Sequence, residues 1–248
     1  MKVKEIYDYL DSFAPFSSQE EWDHCGLSVG SLDADVRTVV VALDVTKTVI
    51  DFAKEKNAQL VLTHHPLLFH AASQIETGTV LYDAVSSGLT FLASHTCLDK
   101  APGGVNDCLA AAVGFANVRP TDDPFLMLGD LPREMRAAEL AAHVKERLGG
   151  SVRLSDPNRL VTTVAFCSGG GGEYSPAAAA NGAQALLTGE AAHHDFLAAT
   201  ECGVALLAAG HYETEALVCP VLADKLRERF GFALNVFVYD GAAPVITL

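Results

Sequence analysis

Three observations predict an α/β fold. Short apolar runs of strand length alternate with segments of helical periodicity. The runs are almost continuous in apolar residues, as in Arg37–Asp44 (RTVVVALD) and Leu60–Thr63 (LVLT), which suits the strands of a mainly parallel sheet covered on both faces. Polar residues of ligand type follow those runs directly, at the strand exits where α/β proteins build their sites.

The elements follow in order. Residues 3–13 predict a first helix, and Arg37–Asp44 a strand rich in β-branched residues. Thr46–Lys56 predicts a helix with Thr46 as its N-cap. Leu60–Thr63 is a strand, Thr79–Ser87 a helix, Thr90–Ser94 a strand and Val105–Val113 a helix. The segment Arg119–Pro132 carries Pro120, Pro124, Gly129 and Pro132 and reads as a boundary or crossover. Beyond it come a helix over Glu134–Leu148, strands at Leu160–Cys167 and Ala185–Thr188, a helix at Ala191–Ala199 and a strand at Val204–Ala208. Thr214–Phe230 reads as a helix that Pro220 kinks or delays. Leu234–Tyr239 and Val245–Leu248 are closing strands. This organisation divides the chain into α/β domains over 1–124 and 125–248, with the closing strands able to return to the first. The halves share a texture: Gln59–Thr63 runs into His64-His65, and Gln184–Thr188 into Gly189-Glu190. Any two strand–helix–strand units share such a texture, so the match alone does not establish a repeat.

Lys plus Arg number 17 against 31 Asp plus Glu, a net charge of −14 in 248 residues with a pI near 4.9. That balance argues against nonspecific nucleic-acid binding and against docking on an anionic membrane. With 50% hydrophobic and 19% charged residues, the chain carries enough apolar surface for a large core. No run approaches the ~18 apolar residues of a membrane span, and MKVKEIYDYL has no signal-peptide apolar region. The six cysteines form no CxxC pair, which suits a reducing compartment. A soluble cytoplasmic protein is expected.

Three clusters carry the chemistry. His64-His65-Pro66 follows the strand at Leu60–Thr63, and Pro66 marks the strand exit. His95 and Asp99 follow the strand at Thr90–Ser94. His211 and Glu215 are four apart, so one helical turn brings them to one face. Imidazole and carboxylate donors suit Zn, Mn, Fe, Co or Ni. Five ligands (His64, His65, Asp99, His211 and Glu215) exceed the need of an open mononuclear site and suit two metals sharing a carboxylate. Ser168–Gly172 matches neither a Rossmann nor a P-loop fingerprint and reads as a flexible loop or a substrate loop. Glu190, His193 and His194 form the polar cluster of the second half, with the histidines expected to support ligands or to face solvent.

The ordered motifs Trp22-Asp23-His24-Cys25-Gly26-Leu27, Thr63-His64-His65-Pro66, Ser94-His95-Thr96-Cys97-Leu98-Asp99, Thr188-Gly189-Glu190 and Gly210-His211-Tyr212-Glu213-Thr214-Glu215 resemble the Nif-three-like dinuclear-metal family, whose bacterial members are commonly labelled GTP cyclohydrolase 1 type 2 homologues. The resemblance implies two linked α/β domains of related topology with a metal pair in the cleft between them, and a ring-shaped homohexamer. It implies one metal on His64, Asp99 and Glu215, a second on His65, His211 and Glu215, and a bridging Glu215. His95 would be an accessory ligand or the catalytic proton carrier. The length is that of the short form, without an inserted middle domain. His24 and Cys97 stand where the family commonly has Asn, which touches substrate identity more than metal binding. The expected function is a metal-dependent hydrolase whose activated water attacks a nucleotide or phosphoester. The alternative is a metal-binding regulator, carrier or scaffold using the same ligands.

Overall fold

The computed structural model describes residues 1–241 and Val245, so the strand expected over Val245–Leu248 lies, past Val245, outside the described residues. It is a mixed α/β structure with two sheets. Compact units run over Met1–Gly104 with Val218–Gly241, and over Val105–Leu217, where the sequence places a single division at 124/125.

The strands are β1 (Gly26–Val29), β2 (Thr38–Ala42), β3 (Leu60–Thr63), β4 (Thr90–Ala93), β5 (Ala116–Pro120), β6 (Met127–Arg136), β7 (Arg153–Leu154), β8 (Leu160–Phe166), β9 (Ala185–Thr188), β10 (Ala205–Ala208) and β11 (Asn235–Val238). The first unit orders its sheet β1-β4-β3-β2-β11. β11, β2, β3 and β4 are parallel, and β1 closes one edge antiparallel to β4. Every residue of β2, β3 and β4 is buried, which explains their unbroken apolar runs. The helix Lys47–Glu55 starts where Thr46 accepts the Val49 N–H at 3.2 Å, and it lays Val49, Ile50 and Ala53 against Val40, Val61 and Phe91. Because Thr63 of β3 pairs with Ala93 of β4, His64-His65 and Ser94-His95 leave the same end of the sheet.

The second unit orders its sheet β5-β6-β8-β9-β10-β7, with β8, β9 and β10 parallel. Apolar side chains cover both faces: Leu140, Val144, Val164, Phe166 and Leu207 on one, Ala165, Leu186, Ala199 and Leu206 on the other. The proline-marked segment is not a linker. Arg119 and Pro120 belong to β5, an edge strand, and residues 127–136 form β6. Pro132 is tolerated because the β6–β8 register shifts between Asp130 and Met135, where no ladder bond needs its missing N–H. The next helix therefore begins at Ala137 rather than Glu134. The expected helix over Thr214–Phe230 is two helices, His211–Glu215 and Val218–Phe230. Pro220 falls in the first turn of the second, where a proline costs no intrahelical bond and makes no kink. Among the described residues, no helix is long and apolar enough to cross a membrane.

Candidate metal centre

In the first unit, ring nitrogens of His64, His65 and His95 all lie within 4.8 Å of one another, with His64 fully buried. The backbone turn after β3 brings the adjacent histidines together, their ring centroids 5.0 Å apart. Each ring has its Nδ1 fixed by an acceptor. His64 donates to the Ser94 carbonyl at 2.9 Å, His65 to Asp44 at 2.7 Å and His95 to Asp23 at 2.9 Å. With the proton on Nδ1, the neutral tautomer leaves the lone pair on Nε2, the arrangement that metal-binding histidines use. Asp99, at the first turn of the helix Thr96–Lys100, sets Oδ1 3.5 Å from His64 Nε2.

Asp23 is buried, and burial pushes its pKa up. Hydrogen bonds from His95 and from the Thr96 hydroxyl and N–H outweigh that and hold it well below the usual carboxylate range. Asp23 therefore stays charged and anchors His95. The His95 ring also meets Trp22 and Phe69 edge-on, at 5.8 and 5.6 Å between centroids. Cys25 and Cys97 bring their sulfur atoms to 3.3 Å beside this network, and the Cys25 thiol accepts the His95 N–H at 3.2 Å. Contact with Cys97, then burial, pushes the Cys25 thiol up, while contact with Cys25 holds Cys97 down. His24 is exposed and lines a cavity of about 260 Å³ with Gln19, Cys25 and His70.

In the second unit, the helix His211–Glu215 places His211 Nε2 2.9 Å from Glu215 Oε2, and Glu215 is buried. Glu190 adds a carboxylate 3.4 Å from His211 Nδ1. The glycine-rich segment is not a flexible loop. Gly169 donates its N–H to Thr214 Oγ1 at 3.1 Å, and its carbonyl accepts from the Glu190 N–H at 2.8 Å and from the Thr188 hydroxyl at 3.1 Å. Its φ is +62°, and a Cβ there would stand 2.2 Å from Glu215 Oε1 and 3.4 Å from His211 Nε2. Glycine at 169 is thus what leaves room for the His–Glu pair. His193 and His194 are exposed at the start of the helix His193–Cys202.

Within each unit, then, the expected ligands come together: His64, His65 and Asp99 with His95 in the first, His211 with Glu215 in the second. The donor chemistry fits divalent metals of the zinc, manganese and iron kind. Sequence reasoning missed Asp44 as the support of His65. Its signal was its place two residues beyond the end of β2, beside β3. Asp23 was legible as part of a motif, but not as the partner of His95.

Comparison with known proteins identifies relatives of the chain. The profile of Duf34/NIF3 (NGG1p interacting factor 3) matches residues 1–244. A Clostridium perfringens protein named GTP cyclohydrolase 1 type 2 homolog is 31% identical over 242 residues, 92% of each chain. A Pseudomonas aeruginosa protein of the same name is 32% identical over 238 residues, again 92% of each. The crystal structure of Staphylococcus aureus protein SA1388 matches with a TM-score of 0.92 at 25% identity, covering 100% of this chain and 99% of that one. The chain belongs to the Duf34/NIF3 family.

Proposed function

We propose that the chain is a metal-dependent hydrolase that uses two divalent ions on a nucleotide or phosphoester substrate. His64, Asp99 and Glu215 would hold one ion, His65, His211 and Glu215 the other, with Glu215 as the bridge. The observation that carries this reading is the tautomer lock: His64 and His65 in the first unit have their Nδ1 atoms committed to acceptors, which prepares Nε2 for a metal. Two such ions would lower the pKa of water and clamp an oxygen-rich substrate.

The chain's own residues do the rest. His95 is held in one orientation by a charged Asp23, so its Nε2 takes up a proton and the nearby carboxylate stabilises the imidazolium. Trp22 and Phe69 pack edge-on against that ring and shield it from bulk water. With a net charge of −14 the chain repels phosphates in general, so an anionic substrate would be drawn by the metal-loaded centre rather than by the protein surface. The ions are Zn, Mn, Fe, Co or Ni on donor chemistry, and availability selects among them. We extend the proposal to a homohexamer, which the family resemblance implies, in the cytoplasm, which the cysteine usage suits.

The test is hydrolysis of GTP and of simple phosphoesters by protein reconstituted with Zn or Mn, with His95→Gln alongside. The expected result is turnover in the wild type and a loss of about 10²-fold or more in kcat in the variant at unchanged metal content. Wild-type protein that holds two ions and turns over nothing would favour the carrier or regulatory reading instead.

A further inference from the structure

We propose that Cys25 and Cys97 are a reversible redox pair that closes to a disulfide beside the imidazole cluster. Their sulfur atoms stand 3.3 Å apart across 72 residues of chain. A disulfide bond is about 2.0 Å long, so the sulfurs need to close by about 1.3 Å. The two thiols also differ in access. Cys25 lines the cavity of about 260 Å³, so a small oxidant reaches its sulfur. Cys97 is buried, with Ser94 Oγ at 3.4 Å, and is not among the described residues that line the cavity.

The oxidant is a peroxide. Cys25 sulfur gives an electron pair to the peroxide, the O–O bond breaks, and Cys25 becomes a sulfenic acid while one water leaves. Cys97 sulfur then attacks Cys25 sulfur, the S–O bond breaks, and the hydroxyl leaves as a second water with the Cys97 proton. Two thiols lose two electrons, which the peroxide takes up. A thiol reductant reverses the change by exchange.

Closure is coupled to the centre through the backbone. Cys97 lies between His95 and Asp99 and belongs to the same short helix as Asp99, and Cys25 sulfur is the acceptor of the His95 N–H. Drawing Cys97 towards Cys25 displaces His95 and Asp99 together. This coupling rests on the metal reading above; the crosslink itself does not.

The experiment treats the full chain with hydrogen peroxide, alkylates the remaining thiols and maps the peptides, with zinc affinity measured before and after. Expected are the loss of two of the six thiols, a mass lower by about 2 Da, a linked Cys25–Cys97 peptide, and recovery with dithiothreitol. In Cys97→Ser, dimedone should instead trap a sulfenic acid at Cys25. Zinc affinity should fall by about 10–100-fold on crosslinking and return on reduction. Oxidation confined to the exposed Cys202, with Cys25 and Cys97 both alkylated, would overturn the pair. A linked chain that keeps its zinc affinity would overturn the coupling. A reduced chain that binds no zinc would overturn the metal reading, and the linked peptide alone would then decide the crosslink.

Discussion

In the first unit, Gln59 braces the sheet ahead of β3: its Oε1 accepts the N–H groups of Arg37 and Thr38 at 2.9 and 3.1 Å, and its Nε2 donates to Asn57. In the second, Gln184 does the same ahead of β9, accepting from Thr162 and Thr163 at 3.0 and 2.9 Å and donating to Gly182. The backbone agrees as well. The Ser94 N–H donates to Thr63, and the Ala209 N–H donates to Thr188. The likeness of the halves therefore extends to side-chain hydrogen bonds, further than the shared texture of Gln59–Thr63 and Gln184–Thr188 required. The strand exits diverge on this common frame. After Thr63 the first unit sets two imidazoles and orients them with carboxylate and carbonyl acceptors, next to His95, which Trp22 and Phe69 meet edge-on. After Thr188 the second sets Gly189, because a Cβ there would meet Thr214 Oγ1 at 2.6 Å and the Gly169 and Gly210 carbonyls at 2.7 and 2.9 Å. Its ligands come instead from the helical turn His211–Glu215. The cluster of the first unit is tuned by electrostatics and that of the second by close packing.

That contrast can be broken by substitution. The largest effect is expected from Gly189→Ala, which drives a methyl group into two backbone carbonyls and should cost about 3 kcal/mol in denaturant unfolding. A cost below about 0.5 kcal/mol would mean that the second exit is not tightly packed. Next comes Asp23→Asn, at about 2 kcal/mol near neutral pH in the presence of a chelator, since a buried carboxylate loses its charge-assisted bonds. The sign follows from the depressed pKa of Asp23 in the folded state. Its stabilisation is fully present above the unfolded carboxylate pKa, near 4, and is lost as pH falls through the lower folded value. The gap between wild type and Asp23→Asn should therefore narrow steadily below about pH 4; a gap that is flat with pH would remove the electrostatic account of the first half. The smallest effect, about 1–2 kcal/mol, is expected for Gly169→Ala from its positive φ. Gly170→Ala, with open space at its Cβ, should stay within about 0.5 kcal/mol. Both glycine penalties should be independent of pH between 5 and 8, on the order of the packing effects they represent.

Much of this molecule was legible because its strands are short, buried and parallel, so β3, β9 and the helix Val105–Val113 could be read at their true bounds from composition. The ligands were legible because parallel strands deliver their exits to one end of a sheet. The misreadings share a cause. Pro120 and Pro132 read as breaks in the sequence, but an edge strand and a register shift each accommodate a residue without an N–H, whereas Pro220 marks the late helix start that it signals. Which neighbour relieves a proline is a tertiary fact, and so is the pairing of Asp44 with His65 across 21 residues.

The central proposal, a dinuclear centre in which Glu215 would be a ligand of both ions, is tested most directly by metal content. Plasma mass spectrometry on protein purified without chelator should find about two ions per chain in the wild type, with most of both lost in a folded Glu215→Ala variant. Metal content that is unchanged by removing Glu215, or a wild-type chain that takes up no added Zn, Mn or Fe, would contradict it.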